Sequence, residues 1–85
     1  MSSHSVTLYG LSTCVHCRHA REFFEEHDIP FTCVYVDTLE GDERTRTIAA
    51  VKQHNPRVSF PTIVIDEGSK VLIGFHPEEL EESLL

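Results

Sequence analysis

One helix-length segment separates two strand-like runs, and this spacing restricts the fold more than any other feature of the chain. Val6-Thr7-Leu8-Tyr9 alternates in polarity and stops at Gly10, and Phe31 to Val36 is rich in β-branched and aromatic residues. Between them, Cys14 to about His27 repeats with helical period. Cys17, Ala20, Phe23 and Phe24 form an apolar face, while Arg18, Arg21, Glu22, Glu25 and Glu26 face solvent. Two strands joined by a single helix run parallel with a right-handed crossover. Thr13 or Ser12 is expected to cap the helix start, because a hydroxyl there can accept from the free amides of the first turn. Pro30 ends it by disfavouring helical geometry at Ile29.

Further on, Asp37 to Gly41 reads as a loop. Asp42 to about His54 reads as a weaker helix, with Ile48, Val51 and Ala49 or Ala50 turned inward and Asn55-Pro56 stopping it. Thr62 to Asp66 is the most apolar β-branched run. Glu67-Gly68-Ser69-Lys70 is a tight turn, and Val71 to Phe75 returns as the second strand of a hairpin. Pro77 suits the first turn of a last helix, with Glu78 and Glu79 on the favourable side of its dipole. The predicted order is β-α-β-α-β-β-α.

At 85 residues the chain has room for a single domain. A domain of this size buries only about 60–65% of its unfolded surface, so its stability margin is thin. The net charge of -7 argues against nucleic acid as a partner, since phosphate binding needs a basic face. The acid is uneven: Glu78, Glu79, Glu81 and Glu82 crowd the end, whereas Cys14 to Arg21 contains none. No run approaches the roughly 18 apolar residues of a membrane span. Met1 to Ser5 has no cationic start, and Val6 to Leu11 is too short for an export signal. The three cysteines are an odd number, unlike the even framework of a small secreted domain, and a reducing cytoplasm is expected.

Two of the cysteines form Cys14-Val15-His16-Cys17 at the start of the first predicted helix. An i, i+3 pair there lies on one side of the first turn, where two sulfurs can close a disulfide. Amide donors and the helix dipole favour thiolate at the first position. Cys14 is therefore expected to be the exposed nucleophile and Cys17 the less accessible resolving thiol. His16, if protonated, would stabilise the thiolate, with Arg18, His19 and Arg21 acting more weakly through solvent. The same spacing also serves zinc and iron–sulfur sites. Cys33, His19 and His54 are the candidates for the missing ligands, but no second close pair completes such a site. Cys33 otherwise reads as a buried small hydrophobe.

The helix-opening CxxC, the element order, and Ser59-Phe60-Pro61-Thr62 together resemble the glutaredoxin family over Val6 to Leu84. The resemblance implies a thioredoxin-like α/β fold with a central four-stranded mixed sheet flanked by helices. It also implies a cis Pro61 facing the cysteine pair, with the backbone of Phe60, next to Ser59, pairing with an extended substrate. Family members with glutathione sites usually carry a basic residue where Leu11 stands and Gly-Gly before the last helix. Here that loop is Gly74-Phe75-His76-Pro77, which looks like the Gly-Phe-Arg-Pro segment of NrdH-type redoxins. His16 stands where that group usually has Gln, and Glu40 to Asn55 is longer than usual there. Arg57 matches a position used for a glutathione carboxylate, or is a solvated loop charge. Phe75 is core packing under the last helix or an apolar wall of the substrate groove.

The expectation is thus a small cytoplasmic thiol–disulfide oxidoreductase, a monomer with no bound cofactor. Its substrate would be a protein disulfide, with ribonucleotide reductase implied by the NrdH likeness. Thioredoxin reductase with NADPH would re-reduce it. The alternatives are a glutathione-dependent dithiol glutaredoxin and, in another class, a zinc or iron–sulfur binding module.

Overall fold

The computed structural model describes residues 4–85. The absence of a cationic export signal was expected from Met1 to Ser5, of which residues 1–3 lie outside the described residues. Four strands and three helices follow in the order β1 (Val6–Gly10), α1 (Val15–Glu26), β2 (Thr32–Tyr35), α2 (Gly41–His54), β3 (Thr62–Ile65), β4 (Lys70–Ile73) and α3 (Pro77–Leu84). The sheet order is β2-β1-β3-β4. β1 and β2 pair in parallel across the α1 crossover, while β1–β3 and β3–β4 are antiparallel. The sheet is therefore mixed, as a crossover followed by a hairpin requires.

Period-2 burial decides which residues meet the helices. Val6 and Leu8 on β1, Ile63 and Ile65 on β3, and Leu72 on β4 join Ala20, Phe23 and Phe24 of α1 and Leu80 of α3 in one core. All four residues of β3 are buried, so this central strand is covered on both faces. On its second face Thr62 meets Asn55 at the end of α2, the Asn55 amide donating to the Thr62 hydroxyl at 3.1 Å. Ile48 and Ala50 of α2 are half-buried and Val51 is fully buried, whereas Ala49 is exposed. Among the described residues no helix is long and apolar enough to cross a membrane.

Several local expectations need correction. The segment after β2 is not plain loop: Val36–Thr38 makes a 3₁₀ turn that tucks Val36 into the interior. The hairpin turn is a second 3₁₀ turn, Asp66–Gly68, with Asp66 and Glu67 at positive φ, one residue earlier than the glycine suggested. Arg21 does not face solvent. It is half-buried, and its guanidinium donates to the Tyr35 hydroxyl at 2.8 Å.

Candidate active site

The end of β1 turns through Leu11-Ser12-Thr13 into α1, and the residue at the boundary is Cys14. Neither Thr13 nor Ser12 caps the helix. Cys14 has extended backbone angles, φ -86° and ψ 120°, and its own sulfur accepts from the Cys17 amide at 3.3 Å. A thiolate at an N-cap receives an amide hydrogen bond and the positive end of the dipole at once. The hydroxyl of Ser12 is used elsewhere. It donates to Asp37 Oδ2 at 2.5 Å, and the Ser12 amide donates to Asp37 Oδ1 at 2.9 Å. These two bonds, hydroxyl first, hold the Asp37 carboxyl below its usual range. They tie the cysteine loop to the turn after β2.

Cys14 is half-buried and Cys17, one turn on, is completely buried, with both thiols free. Burial, and next the hydrogen bond to the Cys14 sulfur, push the Cys17 thiol up to about 12. The sign of the consequence follows from linkage. In the unfolded chain this thiol ionises near 9.0, so the folded chain holds the proton more tightly. The resulting stabilisation is complete below that value and is lost as pH rises towards about 12. Melts of the reduced protein at stepped alkaline pH should show this loss, and Cys17→Ala should remove it.

Gly10 explains how Cys17 reaches the sheet. A Cβ added at Gly10 would lie 3.0 Å from Cys17 Cβ and 3.1 Å from its Sγ. Gly10→Ala is therefore expected to destabilise by about 1–3 kcal/mol through overpacking and to slow closure of the Cys14–Cys17 bond. Thermal melts and the rate of disulfide closure check both effects. The register Tyr9↔Thr62, continued by one residue, sets Pro61 opposite Gly10. The Phe60-Pro61 bond is cis, and Pro61 is buried with its carbonyl accepting from the Gly74 amide at 2.9 Å. The topology thus gathers Cys17, Gly10, Pro61 and Gly74 at one end of the sheet.

The other expected site residues surround this end. Phe60 is half-buried beside Pro61, and Arg57 is exposed in the same loop. Ser59 is exposed, but its hydroxyl and carbonyl accept from the Asn55 amide at 3.0 and 3.2 Å. His16 and Arg18 are exposed on the first turn of α1, with the His16 ring 6.5 Å from that of His19. Gly74 has φ +85°, and a Cβ there would lie 3.1 Å from His76 Nε2, so the loop needs glycine and folds His76 back over it. Phe75 has two sets of contacts. It packs against the core and also forms a wall of a cleft with His19 and Phe23.

Among the described residues no group of three or more His, Cys, Asp or Glu side chains is placed to hold a metal ion. Cys33 is half-buried on β2 and packs against the core. Three contributors were missed in the sequence. Asn55 was read only as a helix stop. Gly10 was read only as a strand end. Val58, a β-branched residue at φ +50°, had no signal; its amide is held by the Asn55 carbonyl at 2.9 Å.

Comparison with known proteins agrees with this geometry. The glutaredoxin family model matches residues 6–69. The structure is similar to that of methanoredoxin from Methanosarcina acetivorans, with 36% identity, a TM-score of 0.90, and coverage of 94% of this chain and 83% of that one. It is also similar to the glutaredoxin of Methanosarcina mazei Go1, with 38% identity, a TM-score of 0.85, and coverage of 96% and 85%. A stretch of 40 residues is 48% identical to the global transcriptional regulator Spx 1 of Oceanobacillus iheyensis, covering 45% of this chain but 30% of that protein's length. With a family match over most of its length and an N-cap dithiol at the sheet end, the chain belongs to the glutaredoxin family and is a glutaredoxin-like thiol redoxin of thioredoxin-like fold.

Proposed function

We propose that the chain is a protein-disulfide reductase of the cytoplasm whose electrons come from thioredoxin reductase and NADPH. The observation that carries the reading is the asymmetry of the pair: a half-buried thiol at the N-cap and a fully buried thiol one turn on. Cys14 thiolate attacks one sulfur of a substrate disulfide. A Cys14–substrate bond forms, the substrate bond breaks, and the other substrate sulfur leaves as thiolate. Cys17 then gives up its proton and attacks Cys14 Sγ, which expels the second substrate thiolate. Two electrons have moved to the substrate, and the redoxin holds a Cys14–Cys17 disulfide.

The high Cys17 value fits this order. Two of its causes, the hydrogen bond to Cys14 and the charge on Cys14, disappear once Cys14 is bonded to substrate. Burial remains, so Cys17 is easier to ionise when it must attack than before. Arg18 brings a positive charge to the first turn of α1, and His16 would add another if protonated. Phe60 offers its backbone to an extended substrate, next to Pro61 and Ser59.

The choice of reductant rests on the groove. Leu11 supplies no cation, and Phe75 and His76 fill the loop that in glutathione-using members is Gly-Gly. Arg57 is the one feature that favours glutathione. A coupled assay separates the two sources. NADPH with thioredoxin reductase should sustain turnover at least several-fold faster than NADPH with glutathione and its reductase. Equal or faster turnover with glutathione would reverse the assignment.

A further inference from the structure

The charges of α1 run against its own dipole. Its first turn has no acid and its last turn no base; His16, Arg18, His19 and Arg21 lie toward the start, and Glu22, Glu25 and Glu26 toward the end. Acidic residues toward a helix C-terminus and cations toward its N-terminus oppose the dipole and are unfavourable there. Glu22 and Glu26, four residues apart, also repel one another. Neither has an ion-pair partner among the described residues.

The same carboxylates border a cleft of about 210 Å³ between α1 and the loop before α3, lined by His19, Glu22, Phe23, Glu26 and Phe75. The Phe23 and Phe75 rings stand edge to face at 6.3 Å. His19 is 5.9 Å from Phe75 and 6.5 Å from His16, two residues beyond Cys14. Aromatic walls and two unpaired carboxylates suit a side chain with an apolar stem and a cationic head.

We infer that this cleft seats a lysine or arginine of the protein whose disulfide Cys14 attacks. The inference rests on the proposed reductase reading and adds the chemistry of the substrate segment. Glu22 and Glu26 lie eight and twelve residues beyond Cys14, about 12–18 Å along the helix. An extended partner strand advances about 3.3 Å per residue, so the cation falls about four or five residues from the attacked cysteine.

Disulfide-linked dimers of a short peptide, with Lys, Ala or Glu four residues from its single cysteine, test this. The reduced redoxin should reduce the Lys peptide with kcat/KM about fivefold above the Ala peptide, and the Glu peptide more slowly than either. The Lys advantage should shrink in high salt and fall to near one in the E22Q/E26Q double variant. Equal rates for Lys and Ala, or an advantage that survives in the double variant, would overturn the inference. Hydroxyethyl disulfide, small and uncharged, separates the two levels of failure. If it is reduced while the peptides are not distinguished, the cleft assignment falls and the reductase reading stands. If no disulfide is reduced, both fall.

Discussion

Cys14→Ser is expected to bring disulfide reduction down to the uncatalysed background, whereas Cys17→Ser should stop the reaction halfway. A serine hydroxyl at the N-cap still accepts the amide of residue 17, so the helix start survives the first change while the nucleophile is gone. In the second variant Cys14 still attacks, but no thiol lies one turn on to release the product. The mixed disulfide then persists and shows as a covalent adduct by intact mass under non-reducing conditions. Cys33 is expected not to rescue it, because it is half-buried on β2 and packed against the core. Activity of Cys14→Ser above background would reject Cys14 as the nucleophile, and a Cys17→Ser variant that turns over normally would reject Cys17 as the resolving thiol.

The largest loss of stability should come from Phe24→Ala. Phe24 is fully buried, with its ring 5.1 Å from Phe31 and 6.1 Å from Phe23. Removing it leaves a cavity between α1 and Phe31, the residue before β2, and costs about 3–5 kcal/mol. A domain of this size has a total stability of roughly 4–13 kcal/mol, so the loss is a large share of the whole. The thermal midpoint should fall by upwards of about 12 °C. Thermal and denaturant melts read this directly. A shift of a few degrees would mean that the core around Phe24 is less tightly packed than the contacts imply.

The element order and sheet were legible because each depends on local periodicity. The alternation of Val6–Tyr9, the helical face of Cys17, Ala20, Phe23 and Phe24, and the β-branched run Thr62–Ile65 each specify one element. Pro77 at the first turn of α3 was equally plain. What the sequence concealed depends on contacts between distant residues. Ser12 looked like a cap but is occupied by Asp37, 25 positions away, which leaves the N-cap to a thiol. Arg21 looked solvent-facing until Tyr35, 14 positions on, claimed its guanidinium. Asn55 binds the loop before Pro61 through Ser59 and Thr62, although locally it reads only as the end of α2. Gly10 shows its importance only when Cys17 is packed against it. The cysteine pair and the lower accessibility of Cys17 were visible in the motif; that Cys17 is fully buried and Cys14 only half-exposed required the fold.

The opposing charges of α1 connect fold to partner choice. The first half of α1, next to Cys14, carries no acid, and the acidic half borders the cleft at Phe75. A partner that places a neutral or acidic residue at its cysteine and a basic one farther along would match both halves.

Peptide mapping of the fully reduced chain after reaction with excess disulfide tests the dithiol mechanism most directly. The account predicts that the chain loses two of its three thiols, recovered as a Cys14–Cys17 disulfide, with Cys33 still alkylatable once the chain is unfolded. Three free thiols after reaction, or a bond that includes Cys33, would contradict it.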